Sequence, residues 1–346
     1  MAAVFSAAGS VVGIVGATGA VGIEVISVLA RRQFPVSRLR LFASARSAGK
    51  TVESDYGPLV VEEFSVAQSR ECDFVFLAVS GDFALEHAKA ISEGDGPIVI
   101  DNSSAFRYFP EIPLVVPEIN AHKLAGAKLV ANPNCTTAIA AVVLWPLHQQ
   151  FGIKKLIMST YQAASGAGAE GMEELQTGTL AKLTGQPVTN SVFVHPLPLN
   201  LIPHIDKFQA NGYTKEEMKV VWETVKIFGL TDEEIKVSCT AVRIPTMRAH
   251  SEAITIETNK PITAAEARTI LSTAPGVKLV DDVTATPPAY PMPLTATSQF
   301  DVEVGRIRES LVYQPNGLDL FVSGDQLLRG AALNAVLIAE KCLELK

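Results

Sequence analysis

The feature that most constrains this chain is an apolar strand pattern near its start that runs directly into closely spaced glycines. Residues 11–15 read VVGIV, a β-branched run typical of a strand buried on both faces. GATGAVG follows over residues 16–22, and then a helical pattern, IEVISVLARR. Glycines at such a turn let the backbone approach a pyrophosphate, and the start of the helix supplies N–H groups and positive potential to it. The pattern therefore predicts a dinucleotide-binding turn, with the spacing GxxGxxG rather than GxGxxG.

More apolar runs follow in the first part of the chain. Strands are predicted at LRLFA (39–43), DFVFLAVSG (73–81), PIVIDNSS (97–104) and LVVPEIN (114–120), with a helical stretch, FALEHAKAI, between two of them. Alternating strands and helices indicate an α/β fold with a doubly wound parallel sheet of the Rossmann type. Ligands of such sheets bind beyond the carboxyl ends of the strands, where DNSSAFR falls.

The residues after the second predicted strand bear on the choice of dinucleotide. An NAD site usually has an acidic residue about twenty positions past the glycines, where it meets the ribose hydroxyl. Here the chain has Ser44, Arg46 and Ser47 instead, with Lys50 beyond. A guanidinium beside hydroxyls suits a 2′-phosphate, which an acid would repel. NADP is therefore the predicted cofactor; the alternative is that Arg46 is a solvated loop residue.

The second half of the chain changes character. KLIMSTYQA, KVSCTAVRIP, SEAITIETN and LDLFVSG alternate apolar and polar residues, as half-buried antiparallel strands do. Thr214 and Thr263 each begin a capping-box pattern at a helix start, and Pro146 is expected to kink or end an earlier helix. The last helix is expected to return to the first domain. We therefore predict an NADP-binding domain of residues 1–134 and 326–346, and an α+β catalytic and dimerisation domain of residues 135–325.

One cysteine stands at the start of a predicted helix. In VANPNCTTAIAAVVL (130–144), Asn134 is a cap residue and Cys135 falls on the first turn. The positive end of a helix can lower the pKa of a cysteine well below ~8.5. The alternative is a small buried side chain. Among six histidines, His250 is the best partner, because it lies at a turn between two predicted strands with Arg243 seven residues before it.

Composition excludes several classes of protein. The 346 residues carry a net charge of −7, which disfavours nucleic acid or an anionic membrane as a partner. The four cysteines are far apart, so neither a disulfide framework nor a metal site is expected, and their spacing is typical of a reducing compartment. No apolar run reaches the ~18 residues of a membrane span. We expect a cytoplasmic protein, or a plastid protein whose targeting extension has been removed.

Several motifs together resemble one family. GATGAVG, DNSSAFR, NPNCTT, YQAASGAG, EEMK, VRIPTMRAHSE and RGAALNAV follow one another over essentially the whole chain, as in aspartate-semialdehyde dehydrogenase of the bacterial and plant type. The resemblance implies NADP-dependent reductive dephosphorylation of L-aspartyl 4-phosphate to L-aspartate 4-semialdehyde and phosphate. That step leads toward lysine by way of diaminopimelate, and toward threonine, isoleucine and methionine. The family commonly forms homodimers or homotetramers.

The resemblance also implies roles for individual residues. Cys135 is the nucleophile that becomes an acyl thioester, and His250 is its acid/base partner. The implied substrate contacts are Gln162 at the catalytic centre and Arg243 on the amino-acid part, Glu216 on the amino group, and Arg107, Asn134 and Lys219 on the phosphate. The implied cofactor site comprises Gly16, Thr18, Gly19, Ala20, Val21, Gly22, Ser44, Arg46, Ser47, Ser165, Gly166 and Gln326, the last offering its amide to the nicotinamide.

Other functions stay open at this point. A glyceraldehyde-3-phosphate dehydrogenase-like enzyme also pairs a cysteine at a helix start with a histidine, but normally has an acid after the second strand. An N-acetyl-glutamyl-phosphate reductase-like enzyme shares the chemistry with a different cysteine motif. A non-catalytic NADP-binding sensor is the alternative from another class, and the presence of Cys135, Gln162, Arg243 and His250 together counts against it.

Overall fold

The strand before the glycine turn lies in the middle of a seven-stranded sheet. In the computed structural model, which describes residues 5, 6 and 8–345, strand β1 (Ser10–Val15) has a parallel neighbour on each side. Val12, Ile14 and Val15 are completely buried, as expected for a strand covered on both faces. The predicted helix follows the glycines as α1 (Ala20–Arg31).

The chain divides into two units. One contains the chain up to Pro133 and again from Ala331 onward, and the other is Asn134–Gly330. These boundaries lie close to the predicted ones, while the functions predicted for the two parts stay predictions.

The first unit contains the parallel sheet. Its remaining strands are β2 (Val36–Ala43), β3 (Thr51–Val52), β4 (Leu59–Glu63), β5 (Phe74–Leu77), β6 (Ile98–Asp101) and β7 (Leu129–Ala131). The order is β3-β4-β2-β1-β5-β6-β7, and only β3 and β4 pair in an antiparallel manner. Its other helices are α2 (Val66–Ser69), α3 (Gly81–Ser92), α4 (Pro117–Asn120) and α10 (Leu333–Glu344). The predicted doubly wound sheet is confirmed.

The C-terminal helix belongs to the first unit, as predicted. Asn334 at the start of α10 donates to the carbonyl oxygen of Val115 at 2.9 Å and to Oδ1 of Asn132 at 2.6 Å. At the other end, Glu340 forms an ion pair with Arg32 at 2.6 Å. The helix is thus fixed to this unit at both ends.

The strand predicted at residues 114–120 is wrong. Only Leu114 forms an isolated bridge, to Ala131, and Pro117 begins the short helix α4. Proline suits the first helical position, because its missing N–H would have no partner there. The Asn120 side chain also accepts from the Val116 N–H and donates to the Leu114 carbonyl oxygen, which bends the segment into a turn. β7 takes the edge position instead.

The second unit is built on a mixed six-stranded sheet. Its strands are β8 (Ile153–Gln162), β9 (Lys236–Arg243), β10 (His250–Thr258), β11 (Val277–Leu279), β12 (Val302–Glu309) and β13 (Gly317–Gly324). The order is β11-β12-β13-β10-β8-β9. The three central pairings are antiparallel, as the alternation predicted, whereas β8 pairs with β9 and β11 with β12 in parallel.

The helices of this unit are α5 (Cys135–Phe151), α6 (Gly168–Leu183), α7 (Lys215–Phe228), α8 (Ala264–Leu271) and α9 (Pro293–Ala296). Both predicted capping boxes are present, at Thr214 before α7 and at Thr263 before α8. Pro146 does not end α5, which continues to Phe151. The residues before it, 138–144, are all buried, so packing of this apolar helix offsets the hydrogen bond that proline removes.

Candidate active site

Cys135 is the first residue of α5. The side-chain oxygen of Asn134 accepts from the N–H groups of Thr136 at 3.0 Å and Thr137 at 3.3 Å, which makes Asn134 the cap that the sequence predicts. Cys135 is half-buried, while Cys72, Cys239 and Cys342 are buried. The one accessible thiol among the four therefore lies at the positive end of a helix, where a thiolate is stabilised.

A glycine that the sequence did not single out lies against this cysteine. Gly330 falls in a π-helical turn, Leu328–Ala332. A Cβ atom placed on Gly330 would be 2.4 Å from Cβ of Cys135 and 2.7 Å from its Cα. The close approach is possible only without a side chain at 330, and π-helical turns are frequent at functional sites.

Three predicted substrate residues converge on Glu216 at the start of α7. Its Oε1 accepts from Nδ2 of Asn134 at 3.0 Å and from Nε2 of Gln162 at 3.1 Å, and its Oε2 accepts from Nζ of Lys219 at 2.9 Å. Burial opposes ionisation of Glu216, but the Lys219 charge and these hydrogen bonds lower its pKa to about 2. Glu216 is therefore a buried carboxylate that holds the three side chains around it. Glu217, one residue on, completes the capping box that begins at Thr214.

Two acidic partners of this network were missed. Asp206 accepts from Nζ of Lys219 at 2.9 Å, and Oε2 of Glu223 accepts from the backbone N–H of Asn134 at 2.6 Å. Glu223 is seven residues after Glu216, two turns along the same face of α7, and this spacing could have identified it. Asp206 lies in an irregular loop, where the sequence carries no such signal.

His250 begins β10 and is fully buried. Its Nδ1 accepts from the backbone N–H of Ala163 at 3.0 Å, so the proton of the neutral ring is on Nε2. Among the described residues, Nε2 has no hydrogen-bond partner. Burial lowers the pKa of His250 to about 3, and the charge of Arg243 acts in the same direction. The histidine is thus a neutral imidazole that holds one N–H donor unused.

Arg243 ends β9 beside His250. Its Nη1 donates to the carbonyl oxygen of Ala163 at 2.6 Å, and its guanidinium lies 5.7 Å from the ring centre of Phe193. Burial lowers the pKa of Arg243, while the charges of Glu216 and Cys135 act to raise it. The guanidinium also lines a cavity of about 440 Å³, with Phe193, Ile202 and Phe208. His204, Asp206 and Lys207 line it too, so the cavity combines apolar walls with charged groups, as small-molecule sites do.

Gly166 explains how these two side chains fit together. A Cβ atom on Gly166 would lie 2.7 Å from Nη1 of Arg243 and 3.1 Å from Nε2 of His250. The lack of a side chain at Gly166 thus leaves room for the side chains of Arg243 and His250. Ser165, beside it, accepts a hydrogen bond at Oγ from Nε2 of Gln326, so these three predicted cofactor residues lie together in the second unit.

The first unit holds the other predicted cofactor residues. Gly16, Thr18, Gly19, Ser44 and Arg46 line a cavity of about 600 Å³ at the carboxyl ends of β1 and β2. Ala20, Val21 and Gly22 form the first turn of α1, and Ser47 follows Arg46 on its loop. The cavity is also lined by Glu63, Phe64 and Phe83, which the sequence did not point to.

The glycines of this cavity form a cradle that side chains would fill. Gly16 has φ +83°, and a Cβ atom there would lie 2.2 Å from the carbonyl oxygen of Ala78. A Cβ atom on Gly22 would lie 2.4 Å from the carbonyl oxygen of Gly16. The turn at the start of α1 therefore needs these glycines, and its geometry fits a dinucleotide pyrophosphate.

Arg107 follows β6 in the first unit and is 7% exposed. Its Nε donates to the carbonyl oxygen of Asn132 at 2.8 Å and its Nη2 to that of Asn102 at 2.9 Å. These bonds fix the side chain against the ends of the strands, and its predicted contact with phosphate stays a prediction.

A second buried acid lies on the same face of β10 as His250. Glu252 is fully buried, and neither carboxylate oxygen has a hydrogen-bond partner among the described residues. Burial raises its pKa well above the ordinary value. Glu252 is therefore a neutral carboxylic acid inside the second unit. No sequence pattern predicted it.

The described residues contain neither a membrane-spanning helix nor a group of metal ligands. No helix in it is long and apolar enough to cross a membrane. Within the same residues, no group of three or more His, Cys, Asp or Glu side chains could hold a metal ion.

One unit contains a parallel sheet with a glycine cradle, and the other contains an accessible cysteine at a helix start, a neutral histidine and a buried arginine. These features are typical of dinucleotide-dependent dehydrogenases that act through a thiol. Residues 11–127 match the family described as "Semialdehyde dehydrogenase, NAD binding domain", and residues 144–329 match "Semialdehyde dehydrogenase, dimerisation domain". The aspartate-semialdehyde dehydrogenase of Synechocystis sp. is 46% identical over 334 residues, 96% of this chain and 97% of that protein. The chain belongs to the aspartate-semialdehyde dehydrogenase family.

Solved structures agree with this assignment. Aspartate semialdehyde dehydrogenase II of Vibrio cholerae, complexed with ASA, has a TM-score of 0.91 at 38% identity and covers 97% of this chain and 98% of its own. The enzyme of Candida albicans, solved with NADP, has a TM-score of 0.74 at 26% identity, covering 97% and 99% of the two chains.

Proposed function

We propose that this protein catalyses the NADP-dependent reductive dephosphorylation of L-aspartyl 4-phosphate to L-aspartate 4-semialdehyde and phosphate. The observation that carries the proposal is the site of the second unit, where an accessible cysteine begins a capped helix and interacts electrostatically with the arginine beside a neutral histidine. The chain has the residue types that this reaction needs, and it belongs to a family named for the product.

The substrate is held by its charged groups. Arg243 offers a planar fork to the α-carboxylate, and the buried carboxylate of Glu216 receives the amino group. Gln162 donates to Glu216 through its amide, which supports its proposed contact with the amino-acid part. Lys219, Arg107 and Asn134 are the proposed phosphate contacts, and the two cations neutralise charge on the leaving group.

The chemistry begins at the Cys135 sulfur. The thiolate attacks the acyl carbon, a C–S bond forms, the bond from that carbon to the phosphate oxygen breaks, and phosphate leaves with the electron pair. Bound NADPH supplies a hydride for the resulting thioester. The N–H group at Nε2 of His250 would donate a hydrogen bond to the negatively charged oxygen of the tetrahedral species, and so stabilise it without giving up the proton. Collapse releases the aldehyde and returns the thiolate to the start of α5, where the helix stabilises it.

The choice of NADP over NAD rests on Arg46. This guanidinium lines the cavity together with Ser44, as a 2′-phosphate site requires. The residues proposed to hold the rest of the cofactor are the glycine turn of the first unit and Ser165, Gly166 and Gln326 of the second.

We also propose a homodimer or homotetramer in the cytoplasm, or in a plastid if a targeting segment was removed. One face of the second sheet leaves Ile157 and Tyr161 partly exposed, at 46% and 36%, and Phe321 lies against Tyr161 at 6.1 Å between ring centres. A sheet face with apolar side chains of this kind suits a second copy of the chain. The product would enter the biosynthesis of lysine, threonine, isoleucine and methionine.

The test follows NADP reduction by the purified protein with aspartate semialdehyde, in the presence and absence of phosphate. We expect turnover that depends on phosphate, with far less on glyceraldehyde 3-phosphate or N-acetylglutamate semialdehyde. Cys135→Ala should abolish turnover and leave NADP binding nearly intact, whereas Cys342→Ala, which alters a buried thiol, should retain activity. Turnover by the Cys135→Ala protein would end the thioester mechanism.

A further inference from the structure

The residue before the catalytic histidine has an unusual backbone conformation. Ala249 has φ +67°, in the left-handed region that residues with a Cβ atom rarely adopt, and its side chain is fully buried. Such a conformation persists only where the surrounding structure holds it, and it is frequent next to functional groups. The question is which group holds Ala249.

The groups that hold Ala249 lie just after β13, the strand that pairs with β10 and places Gly324 opposite His250. The backbone N–H of Ala249 donates to Oε1 of Gln326 at 3.0 Å. One residue earlier on each segment, Nε of Arg248 donates to Oδ2 of Asp325 at 2.7 Å. Two successive residues after β13 therefore hold the two residues that lead into His250.

The other end of the Gln326 amide reaches a third segment. Because Oε1 faces an N–H donor, the amide orientation is set, and Nε2 donates to Oγ of Ser165. Ser165 is joined in turn to the loop before β10, since its N–H donates to the carbonyl oxygen of Met247 at 3.1 Å. Gln326 is 2% exposed, so this bridge is shielded from water. The same loop of β8 supplies the Ala163 N–H that binds Nδ1 of His250.

We propose that Gln326 is a positioning residue for His250. Its amide holds Ala249 in the left-handed conformation and fixes the Ser165 loop, so that the imidazole meets the Ala163 N–H and presents Nε2 to the substrate. The positioning role rests on the proposed function only where it is tested by enzyme activity. This positioning role is separate from the proposed contact between Gln326 and the nicotinamide. The two hydrogen bonds to Ala249 and Ser165 leave one N–H and one lone pair of the amide for that contact.

The first test is a rescue experiment on kcat and on the KM for NADP. Gln326→Met keeps the side-chain length and removes both hydrogen bonds, and it should lower kcat by about tenfold to a hundredfold. Loss of the proposed nicotinamide contact should raise the KM for NADP by a smaller factor, which Ala249→Gly should not reverse. Adding Ala249→Gly should restore most of the lost kcat, because glycine adopts the left-handed conformation without help. Adding Gln33→Gly instead is the control. It relieves a positive φ of +56° at an exposed residue of the first unit and should restore nothing.

The second test is the imidazole ¹⁵N spectrum of His250, assigned by comparison with His250→Gln. In the unaltered protein the ring should be the Nε2–H tautomer, and in Gln326→Met it should become a mixture of tautomers, again reversed by Ala249→Gly. Should Gln326→Met not fold, Gln326→Asn, whose amide is too short for both partners, takes its place.

The proposal is overturned if the Gln326 variants raise the KM for NADP and leave kcat unchanged, if Ala249→Gly restores no more kcat than Gln33→Gly, or if the tautomer does not change. A wild-type protein without turnover on aspartate semialdehyde would defeat the proposed function alone. The ¹⁵N spectra would then still decide the role of Gln326.

Discussion

The backbone N–H of Ala163 donates to Nδ1 of His250 at 3.0 Å, and this single bond decides which ring nitrogen carries the proton. A doubly protonated ring would have to give up that bond and place a charge in a fully buried site next to Arg243. Burial and that charge together lower the pKa of His250 to about 3. His250 therefore works as a neutral donor at Nε2, and a thiolate–imidazolium pair with Cys135 is disfavoured.

The pH dependence of the enzyme follows from this. His250→Asn should lower kcat by about 10²–10³-fold, the usual effect of removing one hydrogen-bond donor to a developing oxyanion. Because the histidine stays neutral in the folded protein, the pH profile of kcat/KM should show no limb near pH 6.5 that depends on His250. A limb with an apparent pKa of about 6–7 that disappears in His250→Asn would contradict the assignment.

The lowered pKa of His250 also determines how the free energy of unfolding changes with pH. Below about pH 6.5 the unfolded chain protonates this histidine, while the folded protein does not until near pH 3, so the unfolded state binds more protons in that window. The free energy of unfolding should therefore fall as the pH is lowered from 7 to 5, and fall less in His250→Asn. Urea unfolding at the two pH values measures the difference.

Sequence alone predicted the parts of the fold that depend on local chemistry. The start of α5 at Cys135 follows from the Asn134 cap, and α7 and α8 begin where Thr214 and Thr263 open capping boxes. These signals involve residues within three positions of each other. The strand predicted at 114–120 was wrong because its apolar β-branched run is typical of a strand. Pro117 and Asn120 instead favour the short helix α4.

The partners of the site residues could not be predicted in this way. Glu216 binds the cap residue of α5 and the last residue of β8. His250 depends on the N–H of Ala163, which follows β8 and lies 87 positions earlier in the chain. The contact of His250 is set by the pairing of β8 with β10, and the contact between Asn134 and Glu216 by the packing of α5 against α7. Neither leaves a local signal in the sequence. Gly330 is a similar case, since its lack of a side chain has meaning only through its distance from Cys135.

Gly330 offers a direct test of that contact. A methyl group at 330 would lie 2.4 Å from Cβ of Cys135, and both atoms are tied to backbone, so Cys135 must move. Gly330→Ala should lower kcat by about a hundredfold, as a displacement of roughly 1 Å does at other catalytic centres. Gly81→Ala, whose methyl group meets nothing within 4 Å, is the matched control. Wild-type turnover by Gly330→Ala would show that the close contact with residue 330 does not position Cys135.

Cofactor choice can be tested on one loop. Arg46→Glu removes a guanidinium from the cavity and adds a charge that repels a 2′-phosphate. Loss of a charged hydrogen bond of about 1.5–3 kcal/mol corresponds to roughly a 10- to 100-fold rise in the Kd for NADP. The Kd for NAD should change little. Lys50→Glu makes the same charge change at an exposed residue of that loop and should weaken NADP far less. Equal losses for both dinucleotides in Arg46→Glu would defeat the 2′-phosphate assignment.

Glu252 makes the opposite contribution to stability from His250 as pH rises. Burial raises the pKa of this carboxylic acid in the folded protein, while the unfolded chain ionises it near pH 4.5. Above that pH the folded state binds more protons than the unfolded state, so Glu252 lowers the free energy of unfolding as the pH increases toward its folded pKa. Gln has the same shape and cannot ionise. The Tm of Glu252→Gln minus that of the wild type should therefore increase from pH 5 to pH 8. Glu303→Gln is the control, because that buried acid is ion-paired with Lys278 at 3.1 Å. A Tm difference for Glu252→Gln that is the same at both pH values would mean that Glu252 is ionised in the folded protein.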